Sequence, residues 1–370
     1  MKNADGTEPQ TGRGRGDIVH LVHSVHEVRA PRKKTPTETS AIRNHKAFRE
    51  SRMERVERMG MASEPLCNRV YETVREPELS VLVTTHNRSV AVGELLESLA
   101  VQDLARERFE VLVLDDGSRP EEARAVRRGV EGREWPFALM LIEQTNTGPA
   151  TARNRLVQRA RGEWILFLND DVVLNRGHLS AHLALLGQNP EGIVAVRGTT
   201  GWPPVGQDNA VMRHLRRQIF RYDFDLPPGQ ENWVYFHTCD LSLCRAVLLD
   251  EPFDEGFRYP AYEDTELGYR LYKKRGLRLI LTPEAVSTHR HDYGARDLIR
   301  RGRMMGRAAW DLMDRHPELT GALRDRYYTV SRRRRMLRAL GFLLTLQMEN
   351  FWEQVELILY LRNLERVEKE

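Results

Sequence analysis

Two apolar runs that each stop at a pair of aspartates constrain this chain more than any other feature. FEVLVLDDGS covers residues 109–118 and WILFLNDDVVL covers 164–174. A short run of large apolar side chains reads as a buried strand. Unpaired carboxylates inside a core are costly, so the acids belong where each strand leaves its sheet. Other runs fit the same frame: LSVLVTT (79–85) and FALMLIE (137–143) read as strands. Amphipathic stretches separate them. VAVGELLESLAVQD sets Val92, Leu95, Leu96 and Leu99 on one helix face, and PATARNRLVQRARG reads as a helix closed by Gly162. Strands alternating with helices give βαβ units and an α/β fold with a mostly parallel sheet flanked by helices. In such sheets ligands collect beyond the carboxyl ends of the strands. Asp115, Asp116, Asp170 and Asp171 gather there, together with Thr84, Thr85 and His86. They make an acidic rim suited to a hard divalent cation and to the hydroxyl and N–H groups of a ligand.

Composition narrows the class. The chain has 370 residues, 41% hydrophobic and 30% charged, enough for one large domain or two modest ones. Its 57 basic residues nearly cancel 53 acidic ones, leaving +4, a balance that gives no footprint of a nucleic-acid binder. Cys67, Cys239 and Cys244 offer neither a disulfide framework nor paired metal-ligand spacing, which points to a reducing cytosol, and Cys239 and Cys244 read as packing residues. With no apolar signal core and no long apolar stretch, the expectation is a cytoplasmic protein, soluble or peripheral on the inner face of the membrane.

Residues 1–76 differ from the rest and read as a basic extension, disordered or partly helical. APRKKTPTETS is linker-like, and the glycines of TGRGRGD follow no strand, so they are no dinucleotide fingerprint. His20, His23 and His26 recur every third residue without a carboxylate or cysteine companion and read as incidental. A domain at 77–294 follows, with halves at 78–175 and 176–292, and then a helical extension at 295–370.

SVLVTTHNR, VLVLDDGS, NTGPATARN, GEWILFLNDDV and FDEGFRYPAYEDTELGYRLYKKRGLRL, in that order across roughly residues 78–292, resemble the family 2 glycosyltransferases of bacterial type. The resemblance implies a GT-A fold, Rossmann-like, and inverting transfer of a sugar from a nucleotide-sugar donor with Mn²⁺ or Mg²⁺. It implies that Thr84 and His86 border the nucleobase and that Asp116 accepts a hydrogen bond from it, with Asp115 nearby. Arg153 would lie near the base or the diphosphate, and Asp170 would hold the ribose. Asp171 and His289 would bind the metal, and Asp264 would be the catalytic base. A UDP-sugar is the first expectation for the donor, and a glycan or lipid-linked hydroxyl for the acceptor. The role implied is in surface polysaccharide or glycoconjugate synthesis. The rival reading is a catalytically silent GT-A domain serving as an interaction module.

The chemistry agrees with that assignment. A diphosphate leaving group develops negative charge that a divalent cation neutralises, and an inverting displacement needs a base aimed at the acceptor hydroxyl from the opposite face of the sugar. In YEDTELGYRLYKKRG, Leu267 and Leu271 recur at helical spacing and Gly276 ends the element. Glu263 and Glu266 suit the positive end of that helix. Two positions depart from the family pattern. Asn169 stands where an acid is common, and an amide is the weaker metal ligand. Asp240 in HTCDLSLCR stands where many relatives carry Asn; it fits either a change in acceptor preference or a cap for a following helix. Trp202 in GTTGWPPVG fits an acceptor-stacking platform or a lid anchor. In the extension, ARDLIRRGRMMGRAAWDLMDRHPEL reads as an amphipathic helix and SRRRRMLRALGFLLTLQMENFWEQVELILYLRNLER as a tetrabasic run before a second one. Packing on the domain, homodimer formation and contact with an anionic membrane surface are its three possible uses.

Overall fold

A computed structural model of the chain describes residues 64–189, 193–202, 211–212, 233–257, 259–290 and 293–320, with isolated positions beyond. The expectations for residues 1–63, including the three histidines, and for most of the tail beyond 320 lie outside the described residues.

Among the described residues nine strands form one sheet: β1 (Leu66–Cys67), β2 (Leu79–Thr85), β3 (Phe109–Asp116), β4 (Ala138–Gln144), β5 (Trp164–Asn169), β6 (Val172–Leu174), β7 (Val194–Gly201), β8 (Asp240–Cys244) and β9 (Arg278–His289), in the order β1-β4-β3-β2-β5-β8-β7-β9-β6. Among the described residues the helices are α1 (Arg69–Thr73), α2 (Ser89–Ala100), α3 (Pro120–Glu131), α4 (Pro149–Arg159), α5 (His178–Gly187), α6 (Arg245–Asp250), α7 (Glu263–Arg275) and α8 (Ala295–Arg315). Strands β4, β3, β2 and β5 are parallel, as the βαβ pattern requires. Beyond β5 the sheet becomes mixed. β8 runs antiparallel to both β5 and β7, β9 lies parallel to β7, and β6 closes the edge antiparallel to β9.

The continuous apolar runs reflect burial on both faces. Side chains alternate along a strand, so Val81 and Val83 of β2 join Val111 and Val113 beneath α2 and α3, while Leu82, Leu112 and Leu114 meet α4 on the other side. A buried acid also occurs at the amino end of the sheet. Glu110 accepts from Ser80 Oγ at 2.6 Å and from Arg161 Nε at 2.7 Å, which satisfies it as a structural group.

Two boundaries differ from expectation. Residues 64–76, expected outside the domain, supply β1, which pairs Leu66 with Leu141 and Cys67 with Met140. Asn68 fixes this edge by donating to the Phe137 carbonyl at 2.8 Å and accepting from the Leu139 N–H at 3.0 Å. A two-residue strand carries no readable period, which is why the sequence pattern passes over it. The tail also begins inside the body. Ala309, Leu312 and Met313 of α8 are buried with Trp233, Phe257, Tyr269 and Leu319, and Arg315 bonds Asp254 at 2.6 Å. Residues 295–320 thus pack on the body of the domain. Among the described residues, no helix is long and apolar enough to cross a membrane.

Candidate active site

The two aspartate pairs are brought to neighbouring strand ends, because β3 and β5 flank β2 in register: Thr85 pairs with Asp115, and Thr84 with Asn169. Within the first pair the roles divide. Asp116 Oδ1 accepts from Gln144 Nε2 at 2.7 Å and Thr147 N at 2.9 Å, and its Oδ2 accepts from Gly148 N at 2.9 Å. That carboxylate holds the turn between β4 and α4. Asp115 Oδ1 accepts from Ser118 N at 2.8 Å, while its Oδ2 is buried with no hydrogen-bond partner among the described residues. An orphaned buried acceptor is rare and marks a place for a donor. His86 is exposed, with Nδ1 3.0 Å from the Asp116 carbonyl, and Asn146 Nδ2 donates to the same oxygen at 2.8 Å. Thr84 lies half-buried beside them.

Gly117 makes the DDGS turn possible. Its φ is +73°, and a Cβ there would run into the Asn146 backbone nitrogen. Gly117→Ala is expected to cost ~1–3 kcal/mol in urea unfolding, as strain and overlap add; an unchanged midpoint would show that the turn relaxes.

The second pair forms the tight turn between β5 and β6. Asp170 accepts from Thr85 Oγ1 at 2.7 Å and from Arg88 Nη1 at 3.0 Å, and Asp171 Oδ2 accepts from the same Arg88 nitrogen at 2.8 Å. One guanidinium thus bridges two nearly buried carboxylates and offsets one of their two charges. β6 folds back along β9 with Val172 opposite His289, which sets Asp171 Oδ1 3.5 Å from His289 Nδ1. Trp202 stacks on that imidazole, ring centres 4.9 Å apart at 19°. Burial, reinforced by the Arg88 charge, lowers the His289 pKa to about 4, keeping the ring neutral and able to ligate. Carboxylate oxygen plus neutral imidazole is a donor set that fits a divalent ion carrying diphosphate oxygens.

Burial pushes the Asp170 carboxyl up to about 6, against the pull of Arg88, with the Asp171 charge adding to the rise. A folded pKa above the ordinary 3.8 means that the group's stability contribution is complete below that value and lost as pH rises through about 6. Asp170→Asn is expected to flatten the pH dependence of the melting temperature across that window. A slope unchanged by the substitution would assign the titration to another group.

Asp264 sits in the first turn of α7. Its Oδ2 accepts from Thr238 N at 3.2 Å and its Oδ1 from Thr265 N at 2.7 Å, so backbone donors hold the carboxylate. Glu263 turns elsewhere: Oε1 accepts from Arg153 Nη1 at 2.6 Å in a buried pair. Burial, with the Asp264 charge beside it, raises Glu263 to about 7 despite Arg153. Arg153 therefore meets α7 through Glu263. The segment 238–240 links both regions, since Asn169 N donates to the Cys239 carbonyl at 3.1 Å. Burial pushes the Cys239 thiol up to about 12; Arg197 opposes, while Asp240, Asp264 and Asp171 add to the rise, so both site carboxylates lie within electrostatic reach of one residue.

The two non-glycine residues with positive φ among those described flank this rim. Asn87, at 59°, aims Arg88, and Tyr262, at 66°, precedes Glu263. Strained backbone beside candidate chemistry fits positioning of the groups that follow. Sequence reasoning missed Arg88 and the Thr85 bond; a basic residue right after THN was the available signal. Asp240 is neither a cap nor at the rim: it opens β8, fully buried.

A mixed sheet carrying two acidic pairs at its strand ends, with a carboxylate–imidazole pair closing the second, is the GT-A architecture. Residues 80–257 match the family described as Glycosyl transferase family 2. Validoxylamine A glucosyltransferase from Streptomyces hygroscopicus subsp. jinggangensis is 31% identical over 225 residues, 54% of this chain and 52% of that protein. Pre-mycofactocin glycosyltransferase from Mycobacterium tuberculosis is 28% identical over 254 residues, 66% of this chain and 50% of that protein. The chain thus spans about half the length of these relatives. Among solved structures, a mannosyltransferase from Pyrobaculum calidifontis, in complex with GDP-Man and Mn²⁺, covers 88% of this chain and 96% of its own at a TM-score of 0.54 and 20% identity, which establishes the fold alone.

Proposed function

We propose that the chain is an inverting, divalent-metal-dependent glycosyltransferase acting from a nucleotide-sugar donor onto a hydroxyl acceptor. The observation that carries this reading is the Asp171–His289 pair, held 3.5 Å apart by the β6–β9 register at the end of the strand that also bears Asp170. Those two residues would hold the ion, which when bound supplies charge neutralisation for a departing diphosphate. The imidazole favours Mn²⁺ over Mg²⁺, because Mg²⁺ prefers oxygen ligands and retains its waters.

The chain's own groups divide the remaining work. Asp115 Oδ2 accepts the N–H of the nucleobase, and Asp116 shapes the turn against which the base rests; this exchanges the roles the family pattern implied. Thr84 and His86 border the base, Asp170 holds the ribose, and Asp264 receives the acceptor proton. Arg153 keeps Glu263 away from the reacting sugar. Arg88 holds the acidic pair together before the donor arrives. UDP-sugars remain the first donors to try, and a glycan or lipid-linked hydroxyl in surface polysaccharide or glycoconjugate synthesis the first acceptors. Homodimer or membrane-surface contact falls to the residues beyond 320.

A silent GT-A module is the second reading. The Arg88 bridge favours it, since a cation already joins Asp170 and Asp171 without a metal, and Asn169 weakens the ion's ligand set. Nucleoside diphosphate release from a panel of sugar donors with Mn²⁺ separates the two. Release from one donor, stimulated by an acceptor, is expected; binding of nucleotide with no release from any donor would establish the module.

A further inference from the structure

A second cluster of ligating side chains lies beneath α5, and the proposed reaction does not use it. His178 and His182 stand one helical turn apart in HLSAH and face Asp240 at the start of β8, all three with 0% exposure. Both imidazole Nε2 atoms approach one carboxylate oxygen, Asp240 Oδ1, at 3.0 Å and 3.1 Å. The far nitrogens are also engaged. His178 Nδ1 lies 3.3 Å from the Val286 carbonyl, and His182 Nδ1 lies 2.8 Å from Ser242 Oγ, itself 3.5 Å from the Val196 carbonyl.

Hydrogen placement follows from chemistry. A carbonyl only accepts, so His178 Nδ1 carries a hydrogen, and a neutral His178 then points a lone pair from Nε2 at a carboxylate. If Ser242 donates to Val196, its oxygen accepts from His182 Nδ1, and the second Nε2 does the same. With the hydrogens so placed, three lone pairs converge in a dry interior and call for a cation between them, either an added proton or a metal ion.

The arrangement matches the metal alternative in three respects. Imidazoles that ligate a metal commonly pass their other N–H to a carbonyl or hydroxyl, and here those nitrogens lie 3.3 Å from a carbonyl and 2.8 Å from a hydroxyl. A charge-assisted N–H···O bond is usually ~2.7–2.9 Å long. An ion with bonds of about 2.1 Å in tetrahedral geometry separates its donors by about 3.4 Å. The observed 3.0 Å and 3.1 Å lie between these limits, so an ion fits after an expansion of a few tenths of an ångström. Third, the carboxylate is braced on its other side: Ser287 Oγ donates to Asp240 Oδ2 at 3.0 Å, and any Cβ at Gly198 would overlap it.

We propose that His178, His182 and Asp240 form a buried Zn²⁺ site, distinct from the ion that Asp171 and His289 would hold. Two imidazoles and one carboxylate suit zinc, with a small oxygen ligand completing four positions. The ion ties α5 to β8 and, through Ser287, to the strand that carries His289 two residues further on. Its role is structural.

The test uses the full chain, loaded with Zn²⁺ alone and passed through gel filtration, with retained metal measured by mass spectrometry. A single tightly held Zn²⁺ per chain is expected. Asp171→Ala should retain it, while His182→Gln and Asp240→Asn should lose it. Co²⁺ loading of the wild type should give a tetrahedral visible absorption band, which keeps the test decisive if those variants fail to fold. Chelation should lower the melting temperature by several degrees. Absence of both retained Zn²⁺ and a Co²⁺ band, or equal retention by a folded His182→Gln, would overturn the site and leave an imidazolium–carboxylate cluster. No sugar donor enters the measurement, so it stands or falls apart from the transferase reading.

Discussion

Asp264→Asn is expected to reduce sugar transfer by ~10²–10⁴-fold, the usual cost of losing a positioned general base. The substitution keeps the side chain's shape, and one amide-bearing atom can no longer accept a proton from the acceptor hydroxyl. Thr238 N and Thr265 N meet the two Asp264 oxygens at 3.2 Å and 2.7 Å, so the variant retains at least one of its backbone anchors. Nucleotide affinity should barely move, because the base meets the acceptor and not the donor. Glu263→Gln is the control. It removes the charge paired with Arg153, so its expected effect is on stability and on the placement of α7. Transfer rate and nucleotide affinity measured side by side decide the matter. An inactive Glu263→Gln alongside an active Asp264→Asn would move the base one residue back.

Asp171→Ala is expected to abolish most turnover together with the Mn²⁺ dependence of donor binding. The loss has two parts: one of two protein donors to the ion disappears, and Arg88 is left to neutralise Asp170 alone. The fold should survive, because β6 is held through its backbone pairing with β9. Titration calorimetry with nucleoside diphosphate, with and without Mn²⁺, checks this against the wild type. Donor binding that keeps its full Mn²⁺ dependence in the variant would remove Asp171 from the metal site.

Much of this was legible in the sequence wherever burial on both faces forced a continuous apolar run. β2, β3, β4 and β5 announce themselves in that way, and the acids that end β3 and β5 mark the rim, because nothing in a core tolerates them unpaired. Gly276 at φ +65° closes α7 where its Gly signal places it. What the pattern withholds depends on long-range pairing. β1 is too short to show a period. β8 hides in HTCDLSLCR because its inward polar residues, Asp240 and Ser242, satisfy histidines on α5 instead of meeting apolar neighbours. His178 and His182 look like ordinary members of a helix until β8 is laid beneath them. Arg88 is one arginine among many, and only the parallel register of β2 and β5 brings it between Asp170 and Asp171. The division of labour between Asp115 and Asp116 is likewise invisible in the letters DD, since it turns on which carboxylate the 144–148 turn consumes.

A crystal structure with Mn²⁺ and the nucleotide-sugar found by the release assay tests the central claim most directly. The account predicts that Asp171 and His289 would hold a metal ion beside the diphosphate. The nucleobase N–H should point at Asp115 Oδ2, and the anomeric carbon should be open to Asp264 on the face opposite the leaving group. Arg88 should have released Asp171. A nucleotide bound elsewhere on the sheet, or bound here with no ion and with Arg88 still bridging both aspartates, would contradict it.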